Sequence, residues 1–243
     1  MIKKELKLNE SGLACVSART TEKGDTEFAI SDRVNGKVYI ISVGKLVKTI
    51  GGADKTSLGQ AEEVSYNNDG SIAVCDWSNN KIRVFDKTGK AVLELPSQLN
   101  GMCFSSGAIY YIEKTKDGKI SFMRTDIASN KTEKAAEITQ AALRIAKLIA
   151  IDAKGNFITA FFDDSIQEKL MKKDGEKAPM GFFTVAKISA AGKTIASENI
   201  PVTTALGSQF FFDASEDKLY YQDYNAEIAP KGAYTIKELK LDK

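Results

Sequence analysis

Six acidic residues stand at comparable places along the 243-residue chain: Asp32, Asp76, Glu113, Asp163, Asp164 and Asp223. Each lies near the end of an apolar run, the second strand of a repeating unit, so their side chains are expected to ring one face. Two carboxylates at a suitable separation suffice for sugar or lactone hydrolysis, one donating a proton and the other acting as base or nucleophile. Histidine is absent from the chain, which removes Ser-His-Asp and Cys-His catalysis and histidine-built zinc and iron sites. CxxC, P-loop and GxGxxG patterns are absent too. The competing role for these acids is structural, because an Asp at a strand end commonly accepts the N–H groups of the turn behind it. Asn35-Gly36 and Asn79-Asn80 favour that role for Asp32 and Asp76. Longer loops follow Asp163-Asp164 and Asp223, where both roles stay open.

The second candidate chemistry is recognition. Trp77 is the single tryptophan and directly follows Asp76. Two long loops, Asp163 to Gly181 and Tyr224 to Gly232, extend from the same positions of later units, and extra loop length on one face is a common binding elaboration. Trp77, Asp163, Asp164, Asp223 and Tyr224 are therefore the expected partner-binding residues. Against this stands plain packing of Trp77 and Tyr224 over a neighbouring unit. Ser165 with Glu168 three residues on has capping-box spacing, so a helical insertion is expected within 163–181.

The elements that must position these residues are clearest from Ala61 to Pro96. Val64 and Tyr66 precede an Asn67-Asn68-Asp69-Gly70 turn, and Ile72 to Cys75 form a buried run. Ile82, Val84 and Phe85 alternate with Lys81 and Arg83, the period of a half-buried strand. Asp86-Lys87-Thr88-Gly89 turns the chain into Ala91–Leu95. Four strands in about forty residues make one propeller blade. The pattern recurs at Thr26 to Val47, with Asp32 and Asp76 offset by 44 positions.

Ile72-Ala73-Val74-Cys75-Asp76 through Phe85-Asp86-Lys87-Thr88-Gly89-Lys90 resembles the repeat of the NHL family of β-propellers. Phe28 to Leu46 matches well, and the match fades beyond residue 100. The resemblance implies an all-β propeller, a fold that in this family mostly serves as a binding platform, with a minority acting as lyases or hydrolases.

Three further blades follow at lower fidelity. One uses Met102–Phe104, Ala108–Ile112, Lys119–Arg124 and Thr132–Ile138. Another uses Lys147–Ile151, Phe157–Phe162, Phe182–Ile188 and Thr194–Ile200, although Ala141–Ile149 also has a helical composition. The last has three strands within Gln209–Leu241, with Phe210-Phe211-Phe212 and Tyr220-Tyr221 expected in the core between blades. Ile2–Leu8 alternates and is expected to close the ring against the C-terminal strand. The expectation is one domain, 1–243, with five four-stranded blades and six as the alternative.

With 34 Lys and Arg against 32 Asp and Glu, the net charge of +2 gives no electrostatic case for nucleic acid or an anionic membrane surface. No run approaches the ~18 apolar residues of a membrane span. Cys15, Cys75 and Cys103 sit within apolar strands and are expected to be free, buried thiols. That fits a cytoplasmic protein, with an extracytoplasmic one as the alternative if a leader has been removed. Oxygen ligands for calcium are plentiful, but no spacing selects a metal, so no cofactor is expected. The leading expectation is a non-enzymatic platform for a protein or peptide partner; the alternative is a carboxylate-dependent hydrolase acting on a sugar or lactone.

Overall fold

The computed structural model describes residues 12–52, 58–96, 101–114, 119–138, 143–163, 181–202, 210–213, 216–225 and 233–241. Blade one is β1 (Leu13–Thr20), β2 (Thr26–Asp32), β3 (Lys37–Ser42) and β4 (Lys45–Gly51). Blade two is β5 (Ala61–Tyr66), β6 (Ile72–Asp76), β7 (Lys81–Phe85) and β8 (Ala91–Pro96). Blade three comprises β9 (Met102–Ser105), β10 (Ala108–Lys114), β11 (Ile120–Asp126) and β12 (Lys131–Ile138). Blade four comprises β13 (Leu143–Ile151), β14 (Phe157–Asp163), β15 (Phe182–Ile188) and β16 (Thr194–Pro201). β17 (Phe210–Asp213), β18 (Lys218–Asn225) and β19 (Ala233–Leu239) form blade five, three-stranded among the described residues. Within every sheet the strands lie in chain order, and the fold is a five-bladed β-propeller.

Two compact units make up the chain: Met1–Tyr110 with Arg124–Thr132, and Tyr111–Met123 with Glu133–Lys243. Ile2–Leu8 and nearly all of the expected helical insertion, 164–180, lie outside the described residues. Ala141–Ile149, with its ambiguous composition, is resolved in favour of strand from Leu143 onward. Seven residues of that strand pair with β14 in register from Leu143 with Asp163 to Ile151 with Phe157.

One hairpin recurs five times, at Thr21–Asp25, Asn67–Ser71, Asp86–Lys90, Asp152–Asn156 and Ser189–Lys193. In each, the first residue donates its N–H to the carbonyl four positions on and accepts the N–H of the glycine three positions on. That glycine has positive φ in all five, as at Gly89 (91°) and Gly155 (78°). A type I turn closed by a left-handed residue creates this need, which glycine meets without a Cβ clash.

Alternation along the strands sends two apolar rows to opposite faces of each sheet. In the first unit, Ala29, Val38, Ile40 and Ile50 of blade one pack with Val64, Ile72, Val74 and Phe85 of blade two. In the second, Ile158, Ala160, Phe183 and Val185 of blade four pack with Leu219 and Leu239 of blade five, joined by Phe210, Phe212 and Tyr221. Phe122 of blade three stacks on Phe157 of blade four, with ring centroids 4.2 Å apart. The expectation for Phe211 fails: it is exposed, because the register with Tyr220 sends it to the sheet face opposite Phe210 and Phe212. Cys75 and Cys103 are buried as expected, whereas Cys15 is only half-buried.

Candidate functional site

The described candidate site lies wholly within the first unit, where the ends of β2 and β6 face the segment that leads into blade two. Asp32 and Asp76 are both fully buried. Asp32 Oδ1 accepts the Asn35 N–H at 3.0 Å, and Oδ2 accepts the Asn35 side-chain amide at 2.7 Å and the Tyr39 hydroxyl at 3.1 Å. Asp32 thus caps its own turn, as expected. Burial first, and then the Asp32 carboxylate, pushes the Tyr39 phenol upward.

Asp76 is spent differently. Its Oδ1 accepts the Gly59 and Gln60 N–H groups at 3.0 and 3.2 Å, and its Oδ2 accepts the Asn79 amide at 2.8 Å. Arg83 Nε lies 3.5 Å from Oδ2. The expected cap over its own turn is therefore replaced on the backbone side by donors 16 and 17 positions earlier in the chain. Both carboxylates are held by internal donors, which is the structural role.

Three glycines fit this arrangement: Gly36 of the turn already read from the sequence, and Gly12 and Gly59, which were not singled out there. A Cβ on Gly12 would land on the Asp32 carboxylate, and one on Gly36 would land on the Leu58 carbonyl. A Cβ on Gly59 would occupy the place of Ser78 Oγ. The Arg33–Gly36 turn, the Leu58–Gln60 segment and the Trp77–Asn80 turn are therefore in successive backbone contact. The Arg33 N–H donates to the Gly12 carbonyl at 2.7 Å and the Trp77 N–H to the Gln60 carbonyl at 2.8 Å, the same bond in two blades. Glycines one and two residues ahead of a blade's first strand, Gly12 before Leu13 and Gly59 before Ala61, are the signal that was available in the sequence.

On this fixed backbone the side chains of Arg33, Val34 and Trp77 turn outward. Trp77 opens a 3-10 turn (Trp77–Asn79) that Asn80 ends in the left-handed conformation. Its side chain is 45% exposed, and Val34 is more exposed still. Arg33 reaches Glu62 at 3.6 Å and keeps about half its surface in solvent. An exposed indole can hold an apolar or aromatic anchor, and a half-exposed guanidinium a carboxylate.

The remaining expected residues belong to the second unit. Asp223 pairs with Lys237 at 2.5 Å, which engages it across β18 and β19. Asp163 ends β14 opposite Leu143, and Tyr224 lies opposite Tyr234; only their backbones are described. Asp164 lies outside the described residues. Trp77 belongs to the other compact unit.

Among the described residues, the carboxyls that leave their ordinary range move down, away from the value a general acid needs. Thr88 holds Asp86 down and Ser129 holds Asp126 down, both through turn hydrogen bonds. Burial pushes Asp152 up, but the Asn156 donors and the Lys187 ammonium outweigh it and the group ends low.

Comparison with known proteins bears on the fold. No protein-family model matches the chain, and no curated protein matches it in sequence. Its structure is similar to those of β-propellers. A chain of the nidogen/laminin complex aligns at 12% identity and a TM-score of 0.57, covering 94% of this chain and 76% of that one. Virginiamycin B lyase from Staphylococcus aureus aligns at 13% identity and 0.53, covering 94% and 70%. A chain from the complex of BBS1N with ARL6DN aligns at 11% identity and 0.53, covering 96% and 67%. The set spans a lyase and components of protein complexes, so the likeness carries the fold and no single activity.

Proposed function

We propose that this chain is a non-enzymatic, NHL-like binding platform for a protein or peptide, with Trp77 as its anchor and the exposed Val34 and Arg33 at the equivalent turn of blade one as further contacts. The exposed indole carries the reading, because it projects from a backbone fixed by the fully buried Asp76. A platform needs a rigid base and a large amphipathic contact residue, since little conformational entropy is then lost on binding. The two described acids at equivalent strand ends, Asp32 and Asp76, are occupied by internal donors, and this weighs against hydrolysis there. Two of the similar propellers come from complexes with proteins, in keeping with a protein partner. Asp163, Asp164, Asp223 and Tyr224 are proposed as additional contacts on blades four and five.

Trp77 is the sole tryptophan, so intrinsic fluorescence reports on this site alone. Peptides selected from a displayed random library on the immobilised chain should shift its emission to the blue on titration. By isothermal titration calorimetry, which does not need the indole, Trp77→Ala should weaken their binding by about tenfold or more, as expected for an interface hot spot, with an unchanged denaturation midpoint. Selected peptides that bind both proteins equally, or a library yielding none, would overturn the reading.

A further inference from the structure

The second unit contains a cleft of about 300 Å³ whose lining belongs wholly to blades four and five. Ile158 and Lys187 stand directly opposite each other on β14 and β15, so both side chains lie on the face that meets blade five. On blade five, Phe212, Leu219 and Leu239 pair in one row across the three strands. Ile158, Leu219 and Leu239 are buried and close the floor, while the half-buried Phe212 and Leu241 leave apolar surface on the wall. That volume lies at the small end of ligand sites and suits a molecule of amino-acid size.

The charged groups of the lining differ in how they are engaged. Lys218 pairs with Glu216 at 2.6 Å, and Asp217 accepts the Ala153 N–H at 3.3 Å. Lys187, its side chain 23% exposed, meets Asp152 Oδ2 at 3.2 Å. An ammonium carries three N–H donors, so this one keeps two for a further acceptor. Glu238 and Lys240 are exposed and have no ion-pair partner among the described residues. What remains to be satisfied is one carboxylate, one ammonium and the spare donors of a second, beside an apolar wall. Both signs of charge line the cleft, so a ligand of one sign meets repulsion as well as attraction, whereas a ligand carrying both signs can pair with each.

We propose that this cleft binds a free α-amino acid with an apolar side chain, its carboxylate against Lys187 and Lys240, its ammonium against Glu238 and its side chain against Phe212 and Leu241. The site uses no residue of the proposed platform and stands independently of it.

Titration of the full chain with L-leucine and L-phenylalanine, followed through backbone amide NMR shifts, tests this. Saturable one-to-one shifts should centre on Lys187, Leu219 and Leu239. Glycine, which lacks the apolar side chain, should bind about tenfold or more weakly than leucine. Glu238→Gln and Lys240→Met, both on the exposed rim, should each weaken leucine by about threefold or more, the scale of a solvent-exposed ion pair, with unchanged urea midpoints. N-acetyl-leucine, which has no ammonium, should bind more weakly than leucine and be insensitive to Glu238→Gln; leucine amide, which has no carboxylate, should be insensitive to Lys240→Met. Lys187→Met should cost about tenfold or more, as for a lost charge-assisted hydrogen bond. It also strips Asp152 of its ammonium, so the rim variants carry the test if it does not fold. No saturable shifts, shifts centred elsewhere, or a leucine affinity unmoved by both rim substitutions would each overturn the proposal.

Discussion

The Gly59 amide donates to the Asp76 carboxylate at 3.0 Å, and the missing side chain of that glycine leaves the space that Ser78 Oγ fills. The relationship links the segment leading into blade two with the end of its second strand. It explains why a buried acid stands directly before the exposed Trp77.

Asp76→Ala should therefore lower stability without touching any chemistry. It removes the acceptor for two backbone N–H groups and the Asn79 amide and leaves Arg83 with Glu94 as its carboxylate neighbour. Buried donors stripped of a charged acceptor cost about 3–5 kcal/mol. Asp76→Asn keeps one acceptor oxygen and should lose about half as much. Urea denaturation at neutral pH measures both; a loss under ~1 kcal/mol for the alanine variant would refute the structural role.

Steric contact around the glycines gives a second test. Gly59→Ala should destabilise the chain, and adding Ser78→Gly should recover part of the loss because the colliding atom is a removable hydroxyl oxygen. Gly36→Ala should resist any such rescue. Its obstruction is the Leu58 backbone carbonyl, and its φ is +57°, where a Cβ adds a further ~1 kcal/mol of strain. Thermal denaturation of the three variants reads the difference. Equal recovery at Gly36 through changes to neighbouring side chains would contradict it.

The blades were legible because their determinants are local. Alternation in Lys81–Phe85 and the glycine turn at Gly89 specify strand and hairpin within ten residues. The Asp32 cap is equally local, closing on Asn35 three positions on. Asp76 was misread in its backbone partners because Gly59 and Gln60 approach it only after blade two has folded. Phe211 was misplaced for a related reason: period-2 alternation says which residues share a face, but not whether another sheet covers that face. Leu143–Ile151 shows tertiary pairing with β14 overriding a helix-compatible composition.

The stacked pair of Phe122 and Phe157 should be among the costlier side chains to truncate. Both are buried, and they lie 4.2 Å apart with an interplanar angle of 12°. Phe122→Ala should cost about 3–5 kcal/mol and Phe122→Leu appreciably less. Urea denaturation of the two variants distinguishes a well-filled contact from a loose one, in which both would cost the same.

Acid sensitivity should run through Asp152. Its carboxylate accepts the Lys154 and Asn156 N–H groups at 2.9 and 2.8 Å and the Asn156 amide at 2.8 Å, and Lys187 lies 3.2 Å away. Burial opposes ionisation, but these donors outweigh it, so the folded-state value lies below the ordinary 3.8. A group depressed on folding binds fewer protons in the native state. Its stabilising contribution is complete above the unfolded value and is lost as pH falls through the folded one. Asp152→Asn should thus be less stable than wild type at pH 6 and should lose less further stability between there and pH 3. Asp86 and Asp126, shifted the same way, would still give the variant some acid sensitivity. Urea denaturation curves at the two pH values measure the slopes, and parallel losses in the two proteins would remove Asp152 from the acid response.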